Sequence, residues 1–207
     1  MTVAAIPVPQ ADRSQGGPLT AQHHRELAQA RQSAKAIKKA ARVAAFNGWA
    51  TAIVALLSAP FAFFSLSGAL VFIGLSVVAY NELRGRTRLV QFDRSAATFL
   101  GWNQLALLAI IVTYCLWAIQ SNLNEAKSVT AEISAYSDLE SVLGSPEQIE
   151  KLARDIVFLF YGSVIATSVV FQGLTAFYYF SRRKHIDAYV ADTPEWIRQL
   201  QSGGLTV

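Results

Sequence analysis

The side chains able to do chemistry are few in this sequence and stand apart from one another. His23, His24 and His185 have no carboxylate or cysteine at a metal-ligand spacing, so all three are expected as solvated surface residues. The single cysteine, Cys115, excludes an intramolecular disulfide and a Cys-based metal site. There is no phosphate-binding loop, glycine-rich dinucleotide turn, Ser/His/Asp order or HExxH helix. The expectation is a protein that is not an enzyme and carries no cofactor or metal.

What remains is a set of neutral polar groups inside long uncharged runs: Asn47, Asn103, Gln104, Thr113, Ser163, Thr167 and Gln172. At membrane depth such groups serve as interhelical hydrogen-bonding partners, at ~0.6 kcal/mol per pair, or as the lining of a path for ions or uncharged solutes. Asn47 and Asn103 fall near the same mouth and could face each other across a bundle. Glu82 stands at the boundary of the second run, so no acid, base or histidine is expected inside a span, where ion coupling and proton relays generally place one.

The elements that position these groups follow from the runs themselves. Val43 to Asn81 carries no Asp, Glu, Lys, Arg or His. As one helix it would measure roughly 58 Å, nearly twice the ~30 Å hydrocarbon core of a bilayer, so it must fold back. The turn is expected at Ser65-Leu66-Ser67-Gly68. Two further runs, Ser95 to Asn124 and Ile156 to Ser181, are each long enough for one span. With 53% hydrophobic and 15% charged residues, the chain reads as an all-α integral membrane protein of four helices in two hairpins.

The spans are expected at about residues 44–64, 68–82, 96–119 and 156–181, within a transmembrane domain over 43–183. Before it come a disordered tail over 1–19, rich in Pro and Gly, and a basic amphipathic cytosolic helix over 20–42 capped by Thr20. Ala30, Ala34, Ile37, Ala41 and Ala44 share one face of that helix, suited to an anionic leaflet or to another helix. The second span, roughly 21 Å from Gly68 to Asn81, either continues past Glu82 or stops short of a crossing. Asp93 is placed to cap the third helix and Pro60 to kink the first.

The third and fourth helices are expected to extend into an outer helical connection over 120–155. The third ends at Gly144, after a bend or break near Ser134 to Ser137. The fourth is restarted by Ser145 as N-cap, Pro146 in its first turn and Gln148 completing a capping box. Gly162, Ser163, Ala166, Thr167 and Gln172 make that helix look interior. The tail over 184–207 holds a short helix with Trp196, Ile197 and Leu200 suited to the inner interface.

Charge sets the orientation. Arg25, Arg31, Lys35, Lys38, Lys39 and Arg42 precede the first span, Arg84, Arg86, Arg88 and Arg94 join the second to the third, and Arg182, Arg183 and Lys184 follow the fourth. The connection from Glu125 to Asp155 is acidic. Both termini are therefore expected in the cytoplasm. The preference for arginine over lysine and the frequent alanine suggest a bacterial cytoplasmic (inner) membrane.

Two surfaces suit association: the small residues Ala44, Gly48, Ala52, Ala55 and Ala59 of the first span, and the extended outer helical arm; Gly162 and Ala166 of the fourth span join the helix-packing set. Arg84, Arg86, Arg88 and Arg94 form a possible lipid-headgroup cluster. The expected partners are membrane lipids and a second copy or another membrane protein. Nucleic acid is not expected, because the basic arm lacks interleaved aromatics. The leading functional expectation is an oligomeric scaffold or complex subunit; the alternatives are an oligomeric channel and a membrane-shaping hairpin.

Overall fold

The computed structural model describes residues 19–133 and 145–202. These form α1 (Ala21–Ala62), α2 (Leu66–Val90), α3 (Ala96–Ile133), α4 (Pro146–Asp192) and the short α5 (Glu195–Ser202), with no strand among the described residues. Four of the helices are long and apolar enough to cross a membrane. The tail over 1–18, the break near Ser134 to Ser137 and the terminator Gly144 lie outside the described residues.

Local signals account for most helix ends. Thr20 caps α1 through a capping box completed by His23, and α1 then runs unbroken through Pro60 to Ala62, so the basic helix and the first span are one element. Ser65 caps α2 by accepting the Gly68 amide at 3.0 Å. Gly68 thus sits in the first turn of α2 rather than in the connection. A Cβ there would overlap the Phe61 carbonyl oxygen, and glycine alone permits so tight a return. Ser145 precedes α4 with Pro146 in the first turn, but its side chain makes no capping hydrogen bond, so the expected capping box with Gln148 does not form. Backbone bonds from Gln148 and Ile149 to the Ser145 carbonyl start the helix instead.

α2 corrects the expectation of a short second span. It has 25 residues, about 38 Å at helical rise, enough for a full crossing. Charges end a run of hydropathy without ending a helix, and Glu and Arg are good helix formers.

Packing differs between the two ends of the molecule. α1 packs most extensively on α2, and α3 on α4. At the end carrying Arg42, Arg84, Arg94 and Arg182, here called the basic end, all the helices join one core. It contains Ile37, Ala41 and Ala44 of α1, Leu89 of α2, Ala97 and Leu100 of α3, Tyr179, Ile186 and Tyr189 of α4, and Ile197 of α5. The alanine face of the basic helix is buried here against other helices. Toward the far end the buried cluster shrinks to Ala55, Leu75, Val78 and Leu107. Burying a large apolar side chain from water contributes about 1.5–3 kcal/mol, whereas lipid supplies no such drive between helices.

α5 also departs from expectation. Ile197 is fully buried, and the Trp196 indole donates to Glu26 Oε2 at 3.2 Å while its ring lies 5.1 Å from that of His23. Protein, rather than a membrane interface, takes up this part of the apolar face; Leu200 stays exposed.

Candidate functional site

One buried carboxylate organises the polar groups. Glu82 of α2 is 0% exposed. Its Oε1 accepts from Asn103 Nδ2 at 3.2 Å and from Gln104 Nε2, and its Oε2 accepts from the Tyr179 hydroxyl at 3.1 Å. Asn103 Nδ2 also donates to the Val78 carbonyl at 3.1 Å, and Asn47 Nδ2 donates to the Tyr179 oxygen at 3.4 Å. Asn47 stands on α1, Glu82 on α2, Asn103 and Gln104 on α3 and Tyr179 on α4, so side-chain hydrogen bonds tie all four long helices at one level.

That level is set by sequence position. Each contributing residue lies only a short distance into its apolar run from the nearest arginine: Asn47 after Arg42, Glu82 before Arg84, Asn103 after Arg94 and Tyr179 before Arg182. Among the described residues, no arginine, lysine or histidine is a partner of Glu82. Three donors distributed over both oxygens occupy much of its accepting capacity. The arrangement can hold helices in register, because losing one partner would leave other buried polar atoms unpaired.

Glu82, expected at the boundary of its uncharged run, is buried within a helix long enough to cross, one helical turn from the buried Val78 and on the same face. A count of about 20 residues from the Ser65 turn, the length one span needs, reaches past residue 82.

The neutral polar candidates divide. Asn47, Asn103 and Gln104 meet at Glu82, with Asn47 reaching Asn103 through Tyr179 and the carboxylate. Thr113 is exposed in an apolar cleft between α2 and α3 at the far end, beside Leu70, Ile110, Tyr114 and Trp117. Ser163 and Thr167 are exposed on α4, Ser163 returning its hydroxyl to the Leu159 carbonyl, and Gln172 is half-buried. The seven residues line no common path within one chain.

The packing candidates divide too. Ala44, Gly48 and Ala55 are buried and Ala52 and Ala59 half-buried. A Cβ at Gly48 would lie 2.9 Å from Leu83 and 3.1 Å from the Glu82 Cβ, so this face is spent on α2 and is not free for a partner. Gly162 and Ala166 are exposed, with nothing within 4 Å of a Cβ at Gly162. The expectation of an interior fourth helix is corrected over this stretch: α3 covers one side, while α1 meets α4 at the basic end, and Ser168 is buried where Gly162, Ser163, Ala166 and Thr167 are not.

The four headgroup candidates have different surroundings. Arg88 is committed: its Nε lies 2.8 Å from Asp93 Oδ2, its NH2 donates to the Ser95 hydroxyl at 2.6 Å, and its guanidinium sits over the Phe99 ring. Asp93 Oδ1 accepts the Ser95 amide at 2.8 Å, so it anchors the start of α3 as expected. Burial acts to raise the Asp93 pKa, but bonds from the Ser95 amide and hydroxyl and from Arg88 outweigh it and hold the carboxyl below its ordinary value. Arg94 is 3.9 Å from Asp187, an acid it shares with Arg183. Arg84 and Arg86 are exposed, with no ion pair among the described residues.

Two of the three histidines are less solvated than expected, while His24 is exposed. His23 completes the Thr20 cap, and His185 is half-buried, its Nδ1 buried without a hydrogen-bond partner among the described residues. No group of His, Cys, Asp and Glu among the described residues is arranged to hold a metal ion. In comparisons with known proteins, no family model, no curated protein and no solved structure matches this chain.

Proposed function

We propose that the chain is a non-enzymatic, multi-pass membrane protein that serves as an assembly subunit, pairing with a second copy of itself through the uncovered face of α4. The observation that carries this reading is the contrast along α4. Tyr179, Ile186 and Tyr189 are buried in the common core, whereas Gly162, Ser163, Ala166 and Thr167 are exposed. Gly162 and Ala166 are one turn apart, a spacing that permits close backbone approach, and association in lipid depends on such packing and on hydrogen bonds.

The lysine and arginine excess supports a cytoplasmic position for the basic end, and with it both termini, in a bacterial inner membrane. The channel reading loses its support within one chain, because Asn103 and Gln104 are turned onto Glu82 and Asn47 onto Tyr179, while Ser163 and Thr167 are exposed. The membrane-shaping reading depended on a second span too short to cross, a premise that the length of α2 removes.

Native mass analysis and cross-linking of the full chain in lipid nanodiscs test the proposal. A dimer or larger homo-oligomer is expected, reduced to monomer by Gly162→Leu with Ala166→Leu. Monomer alone from the unsubstituted chain sinks the assembly reading.

A further inference from the structure

Beside the polar node, and separate from it, a pocket of about 690 Å³ opens at the basic end between the close of α2, the α2–α3 turn, the end of α4, and α5. Its size falls within the range of ordinary ligand sites, ~300–1,000 Å³. Arg94 and Arg198 both line it, with Glu195 as the one carboxylate in the lining and Val90, Phe92 and Val190 as apolar wall.

Three independent observations mark this pocket as more than a surface dent. Arg198 Nε is buried and has no hydrogen-bond partner among the described residues, an expensive state for a guanidinium N–H. Arg94 is held only loosely: its contact with Asp187 is 3.9 Å long, shared with Arg183, and its side chain is 64% exposed. Phe92, in the wall, has φ 57°, a left-handed conformation unfavourable for a bulky residue, and its ring stacks on Tyr189 at a separation of 4.2 Å. The turn that carries Arg94 is thereby held against α4.

We propose that this pocket binds a phosphate group, taken up between Arg94 and Arg198, with the attached apolar part against Val90, Phe92 and Val190. Planar guanidinium groups match phosphate oxygens two bonds at a time, and the pocket carries more positive than negative charge. The phosphate has two sources, an anionic phospholipid headgroup of the inner leaflet or a soluble phosphate compound.

The test uses the full chain in detergent and three variants: Arg94→Gln, the double variant Arg94→Gln with Arg198→Gln, and Lys127→Gln with Lys151→Gln, both exposed, as a charge-matched control for the double variant outside the pocket. Phosphatidylglycerol and phosphatidylcholine are titrated by native mass spectrometry, and inorganic pyrophosphate is titrated by its effect on the melting temperature. Phosphatidylglycerol binding is expected to weaken about tenfold for each pocket arginine removed, the worth of one charge-assisted hydrogen bond, and by less than about twofold in the control. Pyrophosphate stabilisation that disappears in the pocket variants, with lipid binding unchanged, supports the same site with a soluble ligand. Arg94→Gln alters an exposed side chain, so its result stands if the double variant misfolds. If the pocket variants bind both probes as the unsubstituted chain does, or the control loses as much, the proposal is overturned.

Discussion

Glu82 shows how one side chain can be structural and expensive together. A carboxylate at 0% exposure is tolerated because Asn103, Gln104 and Tyr179 all donate to it. Glu82→Leu should therefore cost about 3 kcal/mol, since three buried donors lose their acceptor, whereas Glu82→Gln, which keeps an acceptor oxygen, should cost less than about 1.5 kcal/mol. Chemical unfolding in detergent followed by tryptophan fluorescence measures both, and a leucine variant as stable as the parent would show that the node ties nothing together. Asp93 offers a pH test. Its pKa is depressed on folding, so its contribution is present above the ordinary carboxylate value, near pH 4, and is lost as pH falls through the lower folded value. Asp93→Asn should lower the melting temperature at pH 6, and the gap from the parent should close toward pH 3. A gap unchanged between those pH values would mean that the charge on Asp93 is irrelevant to the turn.

At the scale of elements, the α1–α2 return and the faces of α1 and α4 carry the argument. Gly68→Ala should destabilise the chain by about 1–3 kcal/mol, because the new methyl meets a backbone oxygen that cannot rotate away. Ala69→Gly, one residue on in the same helix, serves as the comparison at about 1 kcal/mol from propensity alone. Equal costs for the two would remove the close-approach explanation. The small-residue stripes of α1 and α4 look alike in sequence yet meet different fates: Gly48 is closed by Leu83, while Gly162 has open space before it. Period and residue size mark a face as able to pack, but they do not name the neighbour. Thr20 was readable as a start signal because it acts within three residues of its own helix; Ser65, read only as part of the turn, caps α2 in the same local way, and Asp93 binds the Ser95 amide just ahead of α3.

For the whole molecule, the core sits at the basic end and the far end is joined more loosely, as expected if water surrounds the first and lipid the second. The orientation proposed from charge can be checked in intact cells on a background lacking Cys115. Ser65→Cys, at the exposed α1–α2 turn, should react with a membrane-impermeant maleimide from outside, and Ala28→Cys, exposed on α1, only after permeabilisation. The opposite pattern would invert the topology and refute the charge argument.

Hydropathy and local chemistry were enough to determine the helical class, four apolar segments, the reversal near Ser65 and the cap at Thr20, because each depends on composition over one span or on neighbours a few residues apart. The tertiary structure decided what depends on distant partners. It carried α2 past Glu82, brought Asn103, Gln104 and Tyr179 from two other helices to meet that carboxylate and Asn47 from a third to meet Tyr179, turned Gly162 outward, set Ile197 into the core and put Arg94 and Arg198 on one pocket. A polar residue's role in a helical bundle is set by which helix lies opposite it, and that pairing arises from packing across the chain.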